Sequence, residues 1–143
     1  MFFNTMFFKT TLLATLIITT SLLTGCYDPV KAPGAGMPDP LSADAYPQIV
    51  VTDKISDYMG FHKAVVNVEP GKPMSVVVPA RLLKEYAVNA QYRFTFFDKA
   101  GNPLEPQMDF QYIRMPARVR VYMKGAALDT TAVEWELTVR SAR

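Results

Sequence analysis

The chain contains few of the residues on which metal sites, disulfides and nucleophilic catalysis depend. Its 143 residues include a single Cys, Cys26, and a single His, His62. Ordinary zinc sites need several His and Cys ligands, and a His-dependent triad would have to be built on His62, which we expect in an exposed loop. One Cys cannot form a disulfide within the chain. The sequence therefore predicts no metal site, no cofactor and no catalytic residue, and a fold stabilised by packing.

The chain also lacks a strong charge bias and a long apolar run. Lys and Arg number 15 against 13 Asp and Glu, whereas nucleic-acid binders need a concentrated basic face. The apolar stretch from Leu12 to Leu23 is interrupted by Thr and Ser and falls short of the ~20 residues that span a bilayer. We therefore predict neither a nucleic-acid partner nor a transmembrane helix.

The N-terminal segment ends in a motif with a specific chemistry. Lys9 followed by an apolar stretch is the order found in secretory signals. The stretch ends in Leu23, Thr24, Gly25 and Cys26. These four residues resemble the lipobox of bacterial lipoproteins. The resemblance implies transfer of a diacylglyceryl group to the Cys26 thiol, cleavage of residues 1–25, and acyl chains such as palmitate on the new N terminus.

The residues around Cys26 also bear on localisation. Two or more acyl chains anchor a protein stably, at ~0.8 kcal/mol per buried CH₂. In lipoproteins of organisms with two membranes, Asp directly after the lipidated Cys commonly causes retention in the inner membrane. Here that position is Tyr27, and Asp28 follows it. We therefore expect a lipid anchor on the periplasmic face of the outer membrane; an ordinary cleaved signal with an incidental free thiol remains the alternative.

Residues 26–47 differ in composition from the rest of the chain. The run from Tyr27 to Pro47 contains five Pro and two Gly and hardly any large aliphatic side chain. Such a stretch buries too little apolar surface to offset its ordering entropy. The expected organisation is a signal peptide over 1–25, a lipidated Cys and Pro-rich tether over 26–47, and one domain over 48–143.

The domain shows the patterns of short β-strands. The clearest lies between Val88 and Asp98, where Tyr92, Phe94 and Phe96 alternate with polar residues at period two. Residues 98–102 form the expected turn, with Gly101 available for a positive φ. Further strands are expected near residues 48–52, 64–68, 74–78, 110–114, 117–124 and 133–139, with a helical turn or loop at 53–62. About seven short strands indicate an all-β, immunoglobulin-like antiparallel β-sandwich.

Several outward-facing charges have more than one interpretation. We expect Glu134 and Glu136 to pair with Arg118 and Arg120 of a neighbouring strand, rather than to act as a catalytic carboxylate pair. Arg93 points outward between inward aromatic residues. It either pairs with one of these glutamates or presents its guanidinium to a carboxylate of a partner. Arg93 is therefore the candidate partner contact.

The segment from Tyr92 to Gly101, YRFTFFDKAG, resembles the signature of the YcfL family of bacterial envelope lipoproteins. The resemblance extends from about Ile49 to Val139. It implies a small β-sandwich at the cell envelope with no established activity, and a partner connected with peptidoglycan synthesis.

The sequence favours two classes of function and leaves a third possible. The first is a non-enzymatic, membrane-tethered protein-binding or scaffold module whose partner is an envelope protein met by edge-strand pairing. The second is a glycan- or muropeptide-binding lipoprotein that uses exposed aromatic residues; an anchor subunit of a secretion apparatus is a third possibility. The aromatic set is Tyr92, Phe94, Phe96, Phe110, Tyr112 and Trp135. Its period-two placement favours the core, and exposure of Tyr112 or Trp135 would favour ligand binding.

Replacing Cys26 by Ser tests the anchor. Serine has no thiol to alkylate, so the variant should incorporate no radiolabelled palmitate and should leave the membrane fraction. The wild type should incorporate palmitate and stay in the membrane fraction. Equal labelling of the two proteins would contradict the lipobox assignment.

Overall fold

The computed structural model of the chain describes residues 39–142. The predicted signal peptide, the motif that ends at Cys26 and the tether up to residue 38 lie outside the described residues. Between residues 39 and 142, no helix is long and apolar enough to cross a bilayer.

The regular secondary structure of the described residues is mostly β-strand, with almost no helix, which confirms the all-β fold class. The helical segments among its residues are two 3-10 turns, Ala43–Ala45 and Asp53–Tyr58. The strands are β1 (Ile49–Val51), β2 (Met59–Phe61), β3 (Val65–Asn67), β4 (Ser75–Leu82), β5 (Val88–Phe97), β6 (Gln111–Met115), β7 (Arg120–Ala126) and β8 (Glu134–Ser141).

The strands form two sheets. The first sheet has the order β1-β8-β5-β6. In the second sheet β4 is central, with β7 on one side and the short strands β2 and β3 sharing the other. All pairs are antiparallel except β1 with β8, which is parallel. The expectation of a purely antiparallel arrangement is wrong for this pair, because β1 and β8 come from opposite ends of the domain and no hairpin joins them.

The core lies between the sheets and follows the predicted alternation of β5. Phe94 is 1% exposed, and its ring centroid lies 6.1 Å from those of Tyr92 and Phe96 and 6.0 Å from that of Trp135. The opposite wall comes from alternate residues of β4. These are Val76, Val78, Ala80 and Leu82, all fully buried. One face of β4 and one face of β5 therefore build the core, and the other face of each strand points away from it.

Pro79 does not end β4, although the sequence predicts a strand boundary at this proline. The carbonyl of Pro79 accepts a hydrogen bond of 2.9 Å from the His62 N–H. Residues 62–64 lie between β2 and β3, so this edge of β4 is interrupted at Pro79. Because the N–H and C=O of a strand residue point to the same edge, the donor that proline lacks would face this interruption. The strand therefore continues to Leu82.

The ion pairs expected between β8 and the strand that carries Arg120 are not formed. Glu134 and Glu136 belong to the first sheet, whereas β7 belongs to the second. Arg118 instead forms a salt bridge with Glu85, and Arg120 contacts His62. The prediction was wrong because it depended on which strands are neighbours.

Residues 39–47, which the sequence analysis assigned to the tether, lie against the domain. Leu41 exchanges two backbone hydrogen bonds with Phe61, of 2.9 and 2.7 Å, and Tyr46 packs against the core. Arg81 forms a salt bridge of 3.2 Å with the carboxylate of Asp39. The chain is thus attached to the edge strand β2 of the second sheet from Asp39 onward.

The expected turn after β5 is present. The Asp98 carboxylate accepts hydrogen bonds from the N–H groups of Ala100 and Asn102, at 2.8 and 2.9 Å, and Gly101 has φ +82°. These bonds, led by those from Asn102, lower the pKa of Asp98. The family-like segment from Tyr92 to Gly101 thus has a structural explanation for most of its residues.

A substitution at Gly125 of β7 tests how closely the two sheets approach each other. A Cβ at this position would lie 2.4 Å from Cδ2 and 2.6 Å from Cγ of Phe94. Because the Phe94 ring is enclosed by other aromatic rings, Gly125→Ala should destabilise the fold by about 1–3 kcal/mol, measured by urea denaturation. Lys124→Ala, at the exposed neighbouring position, is the control, and equal stability of the two variants would contradict this packing.

Candidate functional site

The outer face of the first sheet brings together side chains from all four of its strands. The register places Gln91 of β5 opposite Arg140 of β8 on one side and opposite Tyr112 of β6 on the other. Directly paired residues point to the same face of a sheet. On β8 the parallel pairing with β1 ends at Val139, so Thr52 comes next to Arg140. These outward residues form the candidate site.

Two guanidinium groups lie over one aromatic ring on this face. The Cζ atoms of Arg140 and Arg93 lie 3.7 and 4.8 Å from the centroid of the Phe110 ring. Cation–π contacts of this kind hold a guanidinium plane in a fixed orientation and contribute about 0.5–1 kcal/mol at exposed sites. We call these three residues the Phe110 stack.

The two cations of the Phe110 stack are not neutralised by a neighbouring acid. Among residues 39–142, neither Arg93 nor Arg140 has a carboxylate oxygen within 4.0 Å. Glu136 lies on the same face, but its Oε1 is instead within 3.5 Å of the Thr138 hydroxyl. The Nε of Arg93 is buried and has no hydrogen-bond partner in the described part of the chain. Of the two interpretations of Arg93, the pairing with Glu134 or Glu136 is therefore not formed, and presentation to a partner stays a prediction.

The orientation of Arg140 is fixed by a second contact. Its Nε donates a hydrogen bond of 2.9 Å to Oε1 of Gln91. Gln91 is only 9% exposed, so the acceptor is itself held in place. With Nε bonded and one face of the guanidinium against Phe110, the terminal NH₂ groups are the donors that remain for a ligand.

A groove of about 440 Å³ opens beside Arg140. Its lining residues are Thr52, Asp53, Gln91, Tyr112, Arg140 and Ser141. Asp53 begins a 3-10 turn directly after β1 and has φ +65°. A positive φ is uncommon for residues other than Gly, although Asp and Asn tolerate it better than most. The groove thus has a cation on β8 and a carboxylate at the start of the 3-10 turn that follows β1.

The six aromatic residues expected in the core separate into two groups. Tyr92, Phe94 and Phe96 are buried, and Trp135 is half-buried against them. Tyr112 is 72% exposed on the rim of the groove, and Phe110 is half-buried beneath the two guanidinium groups. The core assignment is therefore wrong for these two residues. Phe110 directly precedes β6 and Tyr112 lies within it, two residues further on. This period-two spacing was the available signal that the two side chains share the outer face of the strand.

His62 occupies a separate cationic cluster on the second sheet. A terminal nitrogen of Arg120 lies 3.2 Å from its Nε2. Burial first, and then the charges of Arg120 and Arg81, lower the pKa of His62 below 6.5. His62 lies in a loop, as expected, but its side chain is half-buried and not solvent-exposed as predicted. Within residues 39–142, no three His, Cys, Asp or Glu residues cluster as metal ligands would.

The fold and the site together define a small all-β domain of two packed sheets that carries a cationic, aromatic outer face. The chain belongs to the family described as protein of unknown function DUF1425, whose model matches residues 63–141. This range includes the whole Phe110 stack. It begins after β2, so Asp53 precedes it.

Two solved structures share this fold. The Campylobacter jejuni protein cj0090 aligns with a TM-score of 0.57 and 20% identity, over 66% of this chain and 98% of its own. A DUF1425 family member from Shewanella sp. PV-4 aligns with a TM-score of 0.53 and 20% identity, over 59% of this chain and 79% of its own. At this identity the likeness concerns the fold alone. No curated protein matches the chain.

The lowered pKa of His62 predicts a pH dependence of stability. Unfolded His62 titrates near pH 6.5 and takes up a proton before the folded residue does as the pH falls. Stability should therefore be complete above about pH 6.5 and should decrease as the pH falls from there through the lower folded pKa. His62→Gln removes this contribution, so its urea midpoint should fall less between about pH 7.5 and about pH 5.5. An equal fall in both proteins would contradict the prediction.

Proposed function

We propose that this protein is an outer-membrane-anchored periplasmic lipoprotein of the YcfL type, and that its domain is a non-enzymatic binding or scaffold module. Its partner is an envelope protein that places a carboxylate on the Phe110 stack. The membrane anchor rests on the lipobox-like residues that end at Cys26, and a connection with peptidoglycan synthesis rests on the family resemblance.

The observation that carries the proposal is that no carboxylate of residues 39–142 lies within 4.0 Å of the two arginines. Arg93 and Arg140 both lie within 5 Å of the Phe110 centroid, at 4.8 and 3.7 Å, so two like charges are held close together. Arg93 is paired with Thr138 and Arg140 with Gln91, so the two arginines are diagonal neighbours whose like charges repel each other. A carboxylate from a partner would offset this repulsion and accept hydrogen bonds from guanidinium groups that are already oriented, which lowers the entropic cost of binding.

The edge of the first sheet supports the same proposal. Among residues 39–142, β6 is the last strand of its sheet and its single strand partner is β5, so within this part of the chain its other edge presents unpaired N–H and C=O groups. A strand from a partner can add to such an edge. Phe110 directly precedes β6 and Tyr112 lies within it, so an added strand would run alongside the Phe110 stack. Backbone pairing would supply affinity, and the arginines would supply selectivity.

A second candidate function is the binding of a glycan or muropeptide. The 72% exposure of Tyr112 favours it, because exposed aromatic rings provide flat apolar surface for a sugar or a peptide stem. Trp135 contributes less to this candidate, since its indole is half-buried against Phe94.

Crosslinking in living cells tests the scaffold proposal. The wild-type chain should capture one envelope protein, and Arg93→Ala should lose it, because the variant removes one of the two guanidinium groups that hold the carboxylate. Arg114→Ala is the matched control, since Arg114 is an exposed arginine on the same face of β6. The stability of Arg93→Ala should change by less than ~1 kcal/mol, measured by urea denaturation.

Two outcomes would contradict the proposal in different ways. If Arg93→Ala captures the partner as well as the wild type does, the Phe110 stack is not the docking surface. If the wild type captures no envelope protein, the scaffold function is wrong and the muropeptide function takes its place.

A further inference from the structure

We infer that the groove beside Arg140 binds a dipolar ligand, one that carries a carboxylate and a primary ammonium group close together, as a free amino acid or a short unblocked peptide does. The inference deepens the proposed binding function and rests on it. It concerns the groove on the Arg140 side of the candidate site and shares Arg140 with partner docking, which also uses Arg93 and the β6 edge.

Arg140 supplies the anion-binding half of this groove. Its Nε is bonded to Gln91 at 2.9 Å and its Cζ lies 3.7 Å from the Phe110 centroid. Among residues 39–142, the Arg140 side chain forms no other hydrogen bond. The terminal NH₂ groups are therefore oriented and unoccupied, a geometry in which guanidinium binds carboxylate through two parallel hydrogen bonds.

Asp53 supplies the cation-binding half. Thr52 donates its N–H to the carbonyl of Val139 at 2.9 Å, which holds the end of β1 against the residue before Arg140. The left-handed φ of +65° at Asp53 then turns the chain, and Asp53 lines the same groove as Arg140. A non-glycine residue held in this conformation stores strain, and such positions concentrate at ligand sites.

The two opposite charges line one groove without pairing with each other. Over residues 39–142, the ion pairs within 4.0 Å involve neither Asp53 nor Arg140. A simple anion would be repelled by Asp53, and a simple cation would be repelled by Arg140. A ligand with both charges satisfies both side chains at once, so the groove discriminates in favour of a dipolar ligand.

The rest of the lining suits such a ligand. Thr52 and Ser141 offer hydroxyl groups, and Tyr112 offers an exposed ring at the rim. The groove volume of about 440 Å³ lies within the range of about 300–1,000 Å³ that is typical of small-molecule sites. It therefore has room for a dipeptide.

Titration with a dipeptide and two blocked analogues tests the inference. The purified full chain in detergent is titrated with alanyl-alanine, N-acetyl-alanyl-alanine and alanyl-alanine amide, with binding followed by calorimetry and by the NMR signal of the Arg140 Nε–H. The unblocked dipeptide should bind, and removal of either charge should weaken binding by at least about fivefold. The Arg140 signal should shift only with the unblocked ligand and the acetylated one, because both carry the carboxylate.

Two substitutions assign the charges to residues. Asp53→Asn keeps the shape of the side chain and tolerates a positive φ, so it should fold normally and lose the preference for the free amine over the acetylated analogue. Arg140→Gln should lose the preference for the free carboxylate over the amide. Asp57→Asn and Arg114→Gln, which do not line the groove, are the controls and should bind as the wild type does.

The inference is overturned if alanyl-alanine does not bind at about 10 mM, if the three ligands bind equally, or if the control variants lose as much affinity as the groove variants. Its failure is separable from that of the proposed function. Partner capture that depends on Arg93 would stand even where the dipeptide does not bind, and dipeptide binding would stand where no partner is captured.

Discussion

The alternation of side chains along β5 is the constraint on which both the fold and the candidate site depend. Successive residues of a strand point to opposite faces, so the ten residues of β5 serve two purposes at once. Tyr92, Phe94 and Phe96 fill the space between the sheets. Gln91 and Arg93 point the other way and hold Arg140 and the Phe110 ring. A shift of one residue in register would exchange these two sets and destroy both.

Much of the fold could be predicted from the sequence, because the strongest signals are local. The aromatic alternation of β5, the turn at Asp98–Asn102 and the apolar alternation of β8 each follow from neighbouring residues. The structure confirms an all-β sandwich on these grounds. The three-residue strand β2 (Met59–Phe61) could not be predicted, because a strand of this length with a central glycine has no measurable period.

The candidate site was harder to predict, because its residues meet only through strand order. Arg140 bonds Gln91 across 49 residues of sequence, and Asp53 reaches the groove because β1 pairs with β8 in parallel. Neither strand pairing can be recognised from neighbouring residues in the sequence. For the same reason the expected partners of Glu134 and Glu136 were wrong, whereas the outward direction of Arg93, which depends on period alone, was correct.

The attachment of residues 39–41 to the second sheet has a mechanical consequence. The chain that precedes the domain joins it at β2, through the paired Leu41 and Phe61 and the salt bridge between Asp39 and Arg81. The Phe110 stack lies on the outer face of the other sheet. The same chain continues from Leu41 to β1, which pairs with β8, the strand that carries Arg140. A pulling force between a bound partner and the N-terminal segment would therefore act on two connections, the pairing of Leu41 with Phe61 and the parallel pairing of β1 with β8. The resistance of the domain to force would depend on the backbone hydrogen bonds at these two places.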